Sequence, residues 1–107
     1  MFKVTEERTF THDVKVKVPT DGGHVEQTFK TTFRVVDIDE LEDTATLEGQ
    51  TKTLQRVVKG MDDLVDESEK KLDYSDELRD KLIRVPFVRQ ALLRTYLNAI
   101  AGASSGN

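Results

Sequence analysis

Two histidines and no cysteine are available for metal or nucleophilic chemistry. His12 is in phase with Val14 and Val16 along a predicted strand, which is typical of a residue on a sheet face. His24 lies in or beside a turn. Because no pair of histidines has helical spacing and no thiolate is present, the sequence predicts no zinc site and no cofactor.

Carboxylates are the other groups that could do chemistry. The segment Asp37-Ile38-Asp39 begins like a calcium loop, but Leu41 holds the fifth position and Glu42 stands where the sixth requires glycine. The acidic run from 62 to 69 is typical of a solvated loop, and weak binding of a divalent cation is the less favoured interpretation. General acid–base catalysis needs two groups in a cleft with separated pKa values, whereas nearly all carboxylates here fall on polar faces or in loops.

Two further motifs fail as catalytic sites. Gly22-Gly23 lacks the lysine and the spacing of a phosphate-binding loop. Ser104-Ser105 has no base close to it in the sequence. We therefore expect no metal site and no catalytic residues, and we predict that the protein is not an enzyme.

Composition limits the remaining classes. A chain of 107 residues, 36% hydrophobic and 34% charged, is the size of one domain. Its 16 Lys and Arg are scattered among 20 Asp and Glu, with a net charge of −4, which disfavours nucleic-acid binding. Neither a signal peptide nor an apolar run long enough to cross a bilayer is found, so we expect a soluble, cytoplasmic protein with no membrane partner.

The first third of the sequence predicts a β-hairpin. Residues 14–18 alternate strictly between valine and lysine. Pro19 is expected to end the pairing, and residues 20–23 supply turn chemistry. The dry face of the second strand is assigned Val25, Phe29, Phe33 and Val35. Residues 2–10 are considered as a third strand.

Helices are predicted for the rest of the chain. Asp37 is the expected N-cap of a short helix ending at Gly49, and a second runs from Thr51 to about Gly60. Residues 62–74 could be two short strands or a disordered loop. Ser75 is the expected N-cap of the next helix, which Val85-Pro86 interrupts. The prediction is an α+β fold, an N-terminal antiparallel hairpin or small sheet packed against a C-terminal helical bundle, with one domain over 1–102 and a flexible tail over 103–107.

The last predicted helix, Pro86 to Ala101, has an unusually wide apolar arc. Its apolar residues span about half of the circumference, whereas a helix on a small sheet needs a stripe of only about 100°. The helix is therefore either the centre of the core or partly a docking surface. As partner-binding candidates we take Val88, Leu92, Leu93, Tyr96, Leu97 and Ile100. Val88 and Leu92 are expected to face inward, and Leu93, Leu97 and Ile100 outward.

The order of several motifs resembles the tail assembly chaperones of long-tailed bacteriophages and prophages. The resemblance covers nearly the full length, and its order of motifs is more specific than any one of them. The motifs are the strands with Val16-Lys17-Val18-Pro19-Thr20-Asp21-Gly22-Gly23 and Phe29-Lys30-Thr31-Thr32-Phe33-Arg34, then Val57-Val58-Lys59-Gly60, Leu64-Val65-Asp66-Glu67, Tyr74-Ser75-Asp76-Glu77-Leu78 and Val85-Pro86-Phe87-Val88-Arg89-Gln90-Ala91-Leu92.

This resemblance implies a non-catalytic role in virion assembly. Such chaperones bind the long, largely helical tape measure protein and recruit tail tube subunits, so these are the expected partners, and self-association is possible. The expected location is the host bacterial cytoplasm, with no protein in the mature virion. The alternative is a structural tail or connector component that stays in the particle.

Overall fold

A three-stranded antiparallel sheet and three α-helices make up the fold, which confirms the α+β class. The structure, a computed structural model, describes residues 1–102, and the predicted tail over 103–107 lies outside the described residues. Strand order in the sheet is β1-β2-β3. The elements are β1 (Arg8–Thr20), β2 (Gly23–Val35), α1 (Leu47–Val57), β3 (Val58–Asp62), α2 (Asp76–Ile83) and α3 (Pro86–Ile100).

The predicted hairpin is confirmed, and it is longer than expected. Pairing runs up to Thr20 opposite Gly23, across a two-residue turn in which Gly22 has a φ of +78°. Glycine reaches that left-handed conformation without steric penalty. Pro19 does not end the pairing, because it lies opposite His24 inside the ladder. An edge strand tolerates proline, since its outer side makes no ladder hydrogen bonds.

The third strand is not where the sequence placed it. Residues 2–7 form no strand, whereas Val58 and Met61, predicted to be helical, belong to β3. A β-bulge opposite Thr32 and Phe33 adds one residue to β3. This extra residue allows Val58 and Met61 to face the core although their separation is odd, and both are buried.

Gly49 does not end a helix, which corrects the second local prediction. The predicted helix after Asp37 is only a 3₁₀ turn, Ile38–Glu40, in which Glu40 accepts a hydrogen bond from the Asp37 amide at 3.3 Å. Gly49 lies in the first turn of α1, where its amide donates to Oγ1 of the N-cap Thr46 at 3.0 Å. A glycine in this turn is required by packing, because a Cβ atom would overlap the backbone carbonyl of Asp43.

One face of the sheet packs against α1 and α3. The rings of Phe10, Phe33 and Tyr96 cluster with centroids 5.3 to 6.0 Å apart. Tyr96 donates its hydroxyl hydrogen to the carbonyl of Arg34 at 3.0 Å, and burial raises the pKa of Tyr96. Other fully covered core residues are Val14, Leu54, Val57 and Leu92.

The segment between β3 and α2 is ordered around one antiparallel bridge. Val65 pairs with Lys71, and the amide of Leu72 donates to the carbonyl of Leu64 at 2.8 Å. The structure therefore favours the paired interpretation over the disordered one, with a single bridge in place of two strands. Downstream, Ser75 caps α2 by accepting from the Leu78 amide at 3.0 Å, as predicted.

Replacing Thr31 with valine is expected to stabilise the protein. Thr31 is fully buried, and its hydroxyl has no hydrogen-bond partner among residues 1–102. Valine has nearly the same shape and removes the desolvation penalty of that group, so the free energy of unfolding should rise by about 1 kcal/mol in urea titrations.

Thr53→Val is the matched control for this prediction. Thr53 is equally buried, but its Oγ1 accepts from the Glu42 amide at 3.0 Å. The same substitution there leaves a backbone donor unpaired, so we expect a loss of about 1 to 3 kcal/mol. If both variants changed the free energy of unfolding in the same direction, the assignment of Thr31 as an unpaired hydroxyl and of Thr53 as a paired one would be contradicted.

Candidate partner-binding cleft

Most of the predicted surface of α3 belongs to the core. Tyr96 and Leu92 are at most 1% exposed, Val88 is 8% and Leu93 is 9% exposed. All four belong to the core, which corrects Leu92, Leu93 and Tyr96 as partner-binding candidates, and the outward assignment of Leu93 was wrong. Leu97 and Ile100 remain at the surface, with 36% and 41% of their areas exposed.

The wide apolar arc of α3 is explained by neighbours on two sides. The sheet covers one side, where Tyr96 meets Phe10 and Phe33. On the α1 side, the Arg89 guanidinium donates to the carbonyl of Leu47 at 3.1 Å and to Oγ1 of Thr51 at 2.7 Å. Leu93 lies one turn after Arg89 on the same flank. A helix that is covered by two elements needs an apolar stripe about twice as wide as a helix that is covered by one.

Arg89 also fixes the start of α3. Its Nε donates to the carbonyl of Ile83, the last residue of α2, at 3.0 Å. Together with the bonds to α1, this side chain ties three helices together at the Val85-Pro86 break. This role of Arg89 could not be predicted from the sequence, because nothing in its local pattern shows which carbonyls it will meet.

The hairpin extends beyond the helix that covers it. A strand of 13 residues is about 43 Å long, close to the 47 Å long axis of the molecule. α3 has 15 residues and is about 22 Å long, so it covers only part of the hairpin face. Val25, near the turn, is accordingly 46% exposed.

An open cleft of about 530 Å³ lies where the start of α3 meets the hairpin. One wall is the core face of the hairpin, with Val16 and Phe29, and another is Val65 of the bridged segment. The α2–α3 junction contributes Leu82 and Phe87. Of the residues predicted from sequence, only Val88 lines this cleft. The cleft was missed because its walls come from segments far apart in the sequence.

The chemistry of the cleft suits binding. Its polar lining consists of Gln27, Thr28 and Asp63, with no histidine, lysine or arginine. Within residues 1–102, no group of three or more His, Cys, Asp or Glu side chains is placed to hold a metal ion. Beside the cleft, a hydrogen bond from the Asp63 amide and the nearby Lys71 ammonium lower the pKa of Asp62. Both interactions favour the ionised form of the Asp62 carboxyl group.

Comparison with protein families, with curated proteins and with solved structures finds no match to this chain. None of the helices described within residues 1–102 combines the length and the apolar character required to cross a membrane.

Proposed function

We propose that this protein is a non-catalytic phage tail assembly chaperone, which binds the tape measure protein and assists tail tube assembly in the host cytoplasm. The observation that carries the proposal is the open apolar cleft lined by Val65, Leu82 and Phe87. A chaperone needs apolar surface that a client can cover reversibly and a charged remainder that keeps the complex in solution. The tape measure protein is proposed as the client because the order of sequence motifs resembles that of tail assembly chaperones.

The apolar lining of the cleft supports a helical client. Helices dock into grooves by inserting apolar side chains that recur every three or four residues. Leu82 and Phe87 from the α2–α3 junction and Val65 from the bridged segment offer apolar contacts to such a helix. The cleft residue Val65 is 55% exposed, so a client would bury apolar area that the free protein leaves in water.

Val65→Asp is expected to abolish capture of the tape measure protein. A carboxylate at this position would have to be desolvated against apolar groups, which opposes binding while the exposed position keeps the fold intact. Co-expression with the tape measure protein and pull-down should show at least a tenfold lower yield. Circular dichroism should match the wild type.

Leu47→Asp is the matched control, since Leu47 is 72% exposed and does not line the cleft. It introduces the same charge at the first position of α1, where a helix favours it. If the Val65→Asp variant captured the tape measure protein as well as the wild type, the cleft would not be the client-binding site.

The alternative is a structural tail or connector component. It differs from a chaperone in that it remains in the finished virion. Mass spectrometry of purified virions should find no stoichiometric amount of this protein. Its presence in stoichiometric amount would overturn the chaperone proposal and favour the structural one.

A further inference from the structure

One wall of the cleft is the junction between α2 and α3. α2 ends at Ile83 and α3 begins at Pro86, so two residues separate the helices. Leu82 lies on one side of this junction and Phe87 on the other, and both line the cleft. A change in the angle between α2 and α3 therefore displaces one of these wall residues relative to the other.

The start of α3 is held by a side chain from its second turn. Its N-cap residue, Val85, makes no capping hydrogen bond with its side chain. The Arg89 guanidinium instead donates four hydrogen bonds to the two neighbouring helices. The acceptors are the carbonyl of Ile83 in α2 (3.0 Å) and, in α1, the carbonyl of Leu47 (3.1 Å), Oε1 of Gln50 (3.4 Å) and Oγ1 of Thr51 (2.7 Å).

All four acceptors of Arg89 are neutral oxygens. Within residues 1–102, Arg89 takes part in no salt bridge. The Ile83 carbonyl lies in the last turn of α2, where the helix supplies no donor and its dipole favours a cation. Because the guanidinium is planar and its donors point in fixed directions, bonds to α1 and α2 together restrict how α3 can leave the junction.

α1 and α2 are also joined to each other, so they form a common base for this contact. Arg79 of α2 donates to the carbonyl of Gln55 at 3.2 Å, and the Gln55 amide donates to Asp80 at 3.2 Å. Arg89 adds the start of α3 to this pair of helices.

We propose that Arg89 is a positioning residue for the client cleft, which fixes Leu82 and Phe87 in the arrangement that the client binds. The inference rests on the proposed function for the identity of the client, and it adds a residue that acts from outside the lining. Arg89 itself does not line the cleft, whereas Val88 before it does. A site whose walls are already in place binds more tightly, because less conformational entropy is lost on binding.

Two spin labels test the geometry in the full-length protein without a client. The chain contains no cysteine, so Glu77→Cys with Gln90→Cys places one label on α2 and one on α3. Both positions are exposed and lie outside the cleft lining. Double electron–electron resonance should give a narrow distance distribution. Arg89→Met, which keeps an unbranched side chain and removes every donor, should broaden or shift that distribution.

Arg94→Met is the matched control on the same helix. Arg94 is exposed and donates to the carbonyl of Lys15 in β1 at 3.3 Å, so the variant loses the same charge without affecting the contacts to α1 and α2. It should leave the distance distribution unchanged. At a temperature where both variants are folded, pull-down of co-expressed tape measure protein should fall at least about fivefold for Arg89→Met and stay at the wild-type yield for Arg94→Met.

A purely stabilising role for Arg89 predicts a different result. It would lower the melting temperature but would change neither the label distances nor the capture by folded protein. An unchanged distance distribution in folded Arg89→Met would overturn the inference. An equal change in both methionine variants, or full capture despite a changed distribution, would also overturn it.

A second variant covers the case in which Arg89→Met does not fold. Thr51→Ala removes the shortest of the four bonds from the side of α1, and it should broaden the label distances to a smaller extent. No change in that variant would overturn the inference. If the wild type fails to capture the tape measure protein, the proposed function is refuted instead. The label distances require no client, so the two failures are distinguishable.

Discussion

Replacing Gly49 with alanine is expected to destabilise the protein by about 3 kcal/mol or more. In an exposed helix interior, the same change would stabilise by roughly 0.5 to 1 kcal/mol, because alanine loses less backbone entropy than glycine. At Gly49 we expect the change to destabilise the protein instead. An added Cβ would overlap the carbonyl oxygen of Asp43 and would lie 2.6 Å from its carbonyl carbon.

The surroundings give this residue little room to relax. Thr46 joins both contacts, because its Oγ1 accepts from the Gly49 amide at 3.0 Å and donates to the Asp43 carbonyl at 3.2 Å. Moving Asp43 away from an alanine would therefore break the hydrogen bond that the capping hydroxyl of Thr46 donates to the Asp43 carbonyl. The loss should appear in urea and thermal unfolding.

Gly60→Ala is the control for this prediction. Gly60 has no atom within 4 Å of its hypothetical Cβ, and its φ is not in the left-handed region. We expect a change within about 1 kcal/mol there, with stabilisation the favoured sign. A neutral Gly49 variant would show that the chain before α1 can move freely, contrary to the packing described.

Leu93→Asp is expected to unfold the protein, whereas Leu97→Asp is expected to leave it folded. The two leucines are one helical turn apart and look equivalent in the sequence. Leu93 is 9% exposed and belongs to the core cluster, so aspartate there buries a charge without a cationic partner. The loss should be about 4 kcal/mol or more, a large fraction of the stability of a domain of this size.

Leu97 provides the matched comparison on the same helix. It is 36% exposed, and an aspartate can keep its carboxylate in water, so the loss should be about 1 kcal/mol. Circular dichroism and thermal melts of both variants check the pair. A folded Leu93 variant with native stability would restore the outward assignment that the sequence analysis made.

The Leu97 variant also tests the exposed end of α3 as a client site. Because Leu97 does not line the cleft, capture of the tape measure protein should survive this change. Loss of capture by the folded Leu97 variant, with capture retained by the Val65 variant, would move the client site from the cleft to Leu97 and Ile100.

Local patterns in the sequence determined several elements directly. The valine–lysine alternation placed β1, because a strand has a period of two and one side of it is dry. Ser75 and Pro86 marked helix starts, since an N-cap hydroxyl and a proline at the first position both act within one turn. These signals depend only on neighbours in the chain, and the structure confirms them.

Tertiary contacts decided the features that the sequence analysis missed. Val58 and Met61 have helical spacing to Leu54 and Val57, yet pairing with β2 and a bulge turned them into a strand. Gly49 looked like a helix end, but the proximity of Asp43 shows that a small residue is needed inside α1. Each of these contacts joins segments whose separation in space cannot be read from a local period.

The position of the candidate site was decided in the same way. The wide apolar arc of α3 was a correct observation, and the sequence alone left open whether it was core or docking surface. The structure buries most of the arc in the core, through residues such as Leu93 and Tyr96. Hydrophobic burial has no direction, so a sequence shows how much apolar surface a helix carries but not which neighbour covers it. Only the packed chain shows that Val65 and Phe87, which are far apart in the sequence, line one apolar cleft.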